Sequence, residues 1–121
     1  MPIRNVLIVD DSPTDRQYLL DILAKSGFQV VTAQSAEEAL EKVRQQRPDL
    51  VLMDVVMPGQ NGFQATRTLS KDSATKDIPV IICTTKGQDT DRIWGMRQGA
   101  RDYIVKPVAA ADLLAKIAAL G

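Results

Sequence analysis

Apolar runs and helical patterns alternate five times along this chain, and few folds accommodate that order. The strand candidates are "NVLIVD" (Asn5–Asp10), "FQVVTA" (Phe28–Ala33), "LVLMD" (Leu50–Asp54), "PVIICT" (Pro79–Thr84) and "DYIVK" (Asp102–Lys106). Three of them carry short, unbroken, mostly β-branched cores, as strands covered on both faces do. The second is more mixed and reads as an edge strand. Five successive βα units predict right-handed crossovers and a parallel sheet with helices on both faces. In such sheets ligands collect beyond the carboxyl ends of the strands, where the strand order reverses.

The helices between the strands are marked by their caps. Ser12-Pro13-Thr14-Asp15 offers an N-cap serine, proline at the first helical position and a carboxylate near the positive helix end. Leu19, Leu20, Ile22 and Leu23 supply an apolar face, and Gly27 stops the helix. Ser35-Ala36-Glu37-Glu38 reads as a capping box, with Ala39, Leu40 and Val43 as the buried stripe and Pro48 beyond the end. A third helix starts near Gly62 and runs past Leu69; a fourth covers Asp89 to Gln98 and ends at Gly99. In the fourth, Ile93 and Met96 are expected to fill the buried stripe, which leaves Trp94 for an output face. The last helix follows Pro107 and carries Leu113, Leu114, Ile117 and Leu120.

Charge and composition narrow the function. Fifteen basic residues balance fifteen acidic ones, so no basic footprint points to nucleic acid or to an anionic membrane. The N-terminal "MPIRN" lacks a signal-peptide pattern, and no apolar run approaches membrane-spanning length, so the expected location is cytoplasmic. The expected organisation is one domain over residues 1–121 with no output domain. The single cysteine, Cys83, excludes an internal disulfide and reads as a small buried hydrophobe. The absence of histidine excludes a Ser-His or Cys-His nucleophile and a His-ligated zinc site. Any phosphohistidine chemistry must draw its histidine from another protein.

Acid marks two strand ends: Asp10 and Asp11 after the first, Asp54 after the third. If those strands are parallel neighbours, three carboxylates converge and repel one another. A divalent cation relieves that repulsion, and oxygen-only donors without His or Cys select a hard ion, Mg²⁺ best of all. The same edge carries Thr84 and Lys106, a hydroxyl and an ammonium suited to the oxygens of a transferred phosphoryl group. A carboxylate can serve as the nucleophile, giving an aspartyl phosphate. Asp54 is the candidate because it stands alone at its strand end.

Asp10-Asp11, Asp54, "MPGQNG" (Met57–Gly62), Thr84, "GARDY" (Gly99–Tyr103) and Lys106-Pro107 occur in the order and spacing of the CheY-like response-regulator receiver domains, and the resemblance spans essentially the whole chain. It implies a (βα)5 doubly wound α/β fold, flavodoxin-like, with strand order 2-1-3-4-5. It also implies Asp54 as phosphoacceptor, and Mg²⁺ (replaceable by Mn²⁺) held by Asp11, Asp54 and the Val56 backbone carbonyl, with Asp10 acting through a water. Thr84 and Lys106 resemble the residues that sense the phosphoryl group. Tyr103 resembles the aromatic switch that swings inward when Thr84 moves, altering a face built from the fourth helix, fifth strand and fifth helix. A cis Lys106–Pro107 bond is implied as well. Gly59 and Gly62 read as turn and close-approach glycines.

A narrower likeness lies in "GFQATRTLSKD" (Gly62–Asp72) and "TTKGQDTDRIWGMRQGARDY" (Thr84–Tyr103), which resemble the PilH-type single-domain regulators of type IV pilus (twitching-motility) chemosensory systems. The implied partners are a histidine kinase as phosphoryl donor and an output protein of the pilus machinery, with the chain a monomer or a weak phosphorylation-dependent dimer. The sequence departs from the commonest receiver pattern at Val56, Thr85, Lys86 and Val108, positions that bear on phosphoryl lifetime, access and packing. Other functions stay open at this level: a phosphate sink, a non-phosphorylated scaffold, an aspartate-nucleophile phosphatase or a flavodoxin-like cofactor binder. Against the phosphatase stands Val56, two residues after the nucleophile where an acid/base group is needed; against the cofactor binder stand the carboxylates of "DDSPTD" in place of a phosphate-binding loop.

Overall fold

A computed structural model describes residues 2–121; Met1, part of the "MPIRN" stretch and of the 1–121 span, lies outside the described residues. The element order is β1 (Asn5–Val9), α1 (Pro13–Lys25), β2 (Gln29–Ala33), α2 (Ala36–Gln45), β3 (Leu50–Met53), α3 (Gly62–Lys71), β4 (Val80–Thr84), α4 (Asp89–Arg97), β5 (Asp102–Val105) and α5 (Ala110–Leu120). All ten expected elements are present, with boundaries moved by a residue or two. The strands pair in parallel in the order β2-β1-β3-β4-β5. The mixed run, β2, lies at an edge, as its exposed Gln29 and Val31 require.

Neighbouring residues in each strand divide between two cores, one on each face of the sheet. Val6 and Ile8 of β1, Leu50 and Leu52 of β3, and Ile81 and Cys83 of β4 pack with Leu19 and Leu23 of α1 and Leu113 and Ile117 of α5. Leu7, Val9, Val51, Met53, Val80 and Ile82 face the other way, onto Ala39 and Val43 of α2 and Ala65 and Leu69 of α3. Period-two alternation, buried on both sides, is why these runs are apolar throughout. Cys83 packs as a hydrophobe, and burial pushes its thiol up to about 12, far from the reactive range.

Local chemistry fixes the helix ends. The Ser12 side chain accepts the Asp15 N–H at the start of α1, and Gly27 follows its end at φ 90°. At α2 only half of the expected capping box forms. Ser35 accepts the Glu38 N–H, but the Glu38 carboxylate accepts from the Gln34 N–H, one residue before the cap. At α3 the reciprocal box is complete, between Asn61 and Gln64.

The fourth helix departs from expectation. Ile93 and Met96 do not fill a buried stripe; both are exposed, as is Trp94, and Gly95 is the buried residue of α4. The reason lies beneath the helix. A Cβ on Gly95 would come within 2.9 Å of Ile82 and 3.0 Å of the Tyr103 ring, so α4 rests its bare backbone on the sheet. The bulky side chains of that helix are turned outward by the closeness of the approach.

Candidate functional site

The strand order reverses between β1 and β3, and their C-terminal ends hold the acidic residues. The backbone sets the register: the Asp54 N–H donates to the Val9 carbonyl at 2.9 Å, and the Asp10 N–H to that of Ala33 at 3.0 Å. One carboxylate oxygen from each of Asp10, Asp11 and Asp54 lies within 4.8 Å of the others. Asp10 and Asp54 are buried, and Asp11 is exposed at the mouth. Three carboxylates with no nitrogen or sulfur donor among them suit a hard divalent cation such as Mg²⁺.

Lys106, just past β5, reaches into this cluster. Its Nζ lies 2.7 Å from Asp10 Oδ2, 2.9 Å from Asp15 Oδ2 and 3.5 Å from Asp54 Oδ2. Asp10 is held from its other side by the Ser12 N–H on Oδ1 at 2.9 Å, and Asp54 Oδ1 accepts the Val55 N–H at 2.8 Å. Burial, then the charge of Asp10, pushes the Asp54 pKa up; Lys106, the Val55 N–H and the Thr84 hydroxyl oppose the rise. For Lys106, burial works to lower the pKa but is outweighed by hydrogen bonds to Asp10 and Asp15 and by the charges of Asp54 and Asp10, so it stays a cation.

A short chain of contacts leads from this edge to the surface. Thr84 is fully buried, and its hydroxyl accepts the Lys86 N–H at 3.4 Å. The Lys86 carbonyl accepts the Tyr103 hydroxyl at 2.6 Å. Tyr103 is only 1% exposed and sits inward; burial and the charge of Asp91 push its pKa up, with Arg92 opposing. Arg92 of α4 covers the ring, its guanidinium carbon 5.3 Å from the centroid, and donates to the Tyr103 carbonyl at 3.3 Å.

The loop after β3 carries Val56, 54% exposed, and turns through Gly59 at φ 77°. Gly62 closes the loop against the site. A Cβ there would lie 2.0 Å from the Asp54 carbonyl oxygen, so a residue without a side chain is required. Across the molecule's edge, Tyr18 of α1 donates to the Val108 carbonyl at 2.6 Å, and the Lys106–Pro107 bond is cis. Trp94 stands half-exposed on α4, on the surface behind which Tyr103 is buried.

Sequence reasoning placed Asp10, Asp11, Asp54, Thr84 and Lys106 on one edge, and that is where they lie. It read Asp15 as a helix-end carboxylate alone and missed its ion pair with Lys106. The available signal was positional: the first turn of α1 starts three residues after Asp10, so its inner face looks back toward the strand ends.

Comparison with known proteins agrees with this geometry. The profile of the response regulator receiver domain matches residues 6–118. The chain is 56% identical to Protein PilH of Pseudomonas aeruginosa over 115 residues, 95% of each chain. It is 38% identical over 117 residues to the phosphate regulon transcriptional regulatory protein PhoB of Escherichia coli, covering 97% of this chain but only 51% of PhoB. Its fold matches the Vibrio cholerae chemotaxis protein CheY4 with a TM-score of 0.91 at 32% identity, over 98% of this chain and 99% of that one. A profile match over nearly the whole length, with relatives this similar, leaves one assignment: the chain belongs to the response regulator receiver domain family.

Proposed function

We propose that this response regulator is a phosphorylation-controlled switch made of a single receiver domain over residues 1–121, in which Asp54 accepts a phosphoryl group from a histidine kinase. The observation that carries the reading is the convergence of Asp10, Asp11 and Asp54 with the Lys106 ammonium where the strand order reverses. Asp54 is the acceptor because its Oδ2 has only the distant ammonium at 3.5 Å, whereas Asp10 has one oxygen on the Ser12 N–H and the other paired with Lys106 at 2.7 Å.

Asp11, Asp54 and the Val56 carbonyl would hold Mg²⁺, with Asp10 acting through a water. When bound, the ion neutralises charge on the phosphoryl oxygens and on the carboxylates around them. The Asp54 carboxylate oxygen forms the new bond to phosphorus as the P–N bond of the donor phosphohistidine breaks, and the imidazole leaves with the electron pair. Lys106 and Thr84 present an ammonium and a hydroxyl to the transferred group. A shift of Thr84 passes through Lys86 to the Tyr103 hydroxyl, and so to the underside of α4. The face of α4, β5 and α5, with Trp94 exposed on it, carries the result to an output protein. The 56% identity to Pseudomonas PilH supports a place in type IV pilus chemosensory signalling.

The test is direct. Incubated with acetyl phosphate and Mg²⁺, the wild type should gain one phosphoryl group by intact mass, and should gain none when Mg²⁺ is removed by EDTA. Asp54→Asn should stay unmodified. An unmodified wild type would reject phosphorylation at this site, and an adduct on Asp54→Asn would move the acceptor elsewhere.

A further inference from the structure

An ammonium has three N–H donors. In this protein all three of Lys106 face carboxylates, and the contact to Asp54 at 3.5 Å is the longest. Asp10 at 2.7 Å is a buried partner that belongs to the acidic cluster itself. Asp15 is different. It comes from the first turn of α1, its side chain is 45% exposed, and it lies as close to the ammonium as a good charge-assisted hydrogen bond allows, 2.9 Å. Its backbone is pinned at that position, because the Asp15 N–H donates to the N-cap Ser12, whose own N–H holds Asp10. One short turn therefore fixes both partners that draw Lys106 away from Asp54.

We infer that Asp15 is a positioning residue: it holds the Lys106 ammonium at the rim of the carboxylate cluster, and the phosphoryl group on Asp54 must compete with it for that cation. This rests on the reading of Asp54 as phosphoacceptor. Asp15 acts in two ways. Together with Asp10 it keeps the ammonium from settling onto Asp54, which leaves that carboxylate available to a metal ion. It also occupies a donor that the phosphoryl oxygens need, and its own negative charge stands beside theirs.

The two effects have opposite signs, and that gives a test. Asp15→Asn should weaken binding of Mg²⁺ alone, measured by calorimetry. The same variant should tighten binding of the phosphoryl mimic beryllofluoride at saturating Mg²⁺, measured by ¹⁹F NMR. Each change should be about two- to five-fold, the range for an ion pair with one half-exposed partner. Asp15→Glu, which keeps the charge within reach of Lys106, should restore both affinities. If Asp15 merely stabilised α1, its loss would weaken both ligands together, and that outcome overturns the proposal. Unchanged affinities in Asp15→Asn, beside a wild type that binds both ligands, overturn it alone. A wild type that binds neither overturns it together with the functional reading on which it rests.

Discussion

Asp54 is buried against Asp10 and receives one backbone N–H and one distant ammonium in return. Burial and the charge of Asp10 raise its pKa, so the folded protein disfavours the ionised form. The sign follows from linkage. For an acid whose folded pKa is raised, the destabilisation is absent below the ordinary carboxylate value and complete above the folded pKa. Asp54→Asn removes the charge, so the metal-free variant should melt above the wild type at pH 7. That gap should close as pH falls through the raised pKa toward the ordinary value near 3.8. A gain of about 1 kcal/mol would read as about 3–5 °C in a domain of this size. Mg²⁺ should reverse the ranking, because at ten times its Kd a ligand adds about 1.4 kcal/mol to the state that binds it, and the variant has lost a carboxylate. Scanning calorimetry at several pH values, with EDTA or Mg²⁺, checks both halves. A metal-free variant that melts below the wild type at pH 7 would show that Asp54 is not under electrostatic strain.

The elements that carry these residues are tied down away from the site as well. Asp49, just before β3, accepts the N–H groups of Asn5 and Arg4 at 2.9 and 3.0 Å, and its own N–H donates to the Asn5 carbonyl. It thus clamps the start of β1 to the start of β3, and those two strands deliver Asp10 and Asp54 at their other ends. The bond from the Asn5 N–H, then that from Arg4, holds the Asp49 carboxyl below the usual range. A depressed acid stabilises the fold above its ordinary pKa and loses that contribution as pH falls through the folded value. Asp49→Ala should therefore cost about 1–2 kcal/mol at neutral pH, less than the full worth of hydrogen bonds to a charged acceptor because water screens this partly exposed carboxylate. The difference in melting temperature from the wild type should shrink below the usual carboxylate range near 3.8. A gap that persists unchanged into acid would assign the loss to packing instead. This clamp was not legible in the sequence, where Asp49 is one polar residue between Pro48 and an apolar run. The strands were legible, because burial on both faces leaves no polar alternation to confuse the pattern. So was the meeting of Asp10, Asp11, Asp54 and Lys106, which follows once the strands are parallel and stand in the order that the receiver resemblance implies. The ion pair of Asp15 was hidden because its helix-cap explanation is sufficient by itself. The outward turn of Ile93 and Met96 was hidden because it depends on Tyr103, which is distant in sequence from Gly95 only by loop and strand but invisible to the periodicity of α4.

Across the molecule, stability is distributed unevenly, and the uneven part coincides with the proposed output face. Every residue of β3 and β4 is buried, and both strands are paired on each side. Helix α4 buries Gly95 alone, and is secured at its end by Gln98, whose carbonyl accepts the Ser70 hydroxyl at 2.8 Å and whose side chain meets Arg67. A helix with so little apolar contact draws little stability from tertiary packing, which is where helices of this length obtain most of it. Native-state hydrogen exchange should accordingly show a steep gradient. Amides of Val51, Leu52, Ile81 and Ile82 should exchange only on global unfolding. Those of residues 93–97 should exchange through local opening, at least 100-fold faster than the strand amides, a gap of about 2.7 kcal/mol or more. Arg92→Ala should widen that gap, since it removes the guanidinium that joins α4 to the Tyr103 ring and carbonyl. Protection of α4 equal to that of β4 would make it part of the rigid core. A signal from Asp54 would then have to leave by moving the whole sheet edge, whereas a loosely held α4 can be repositioned by the Tyr103 side chain on which it rests.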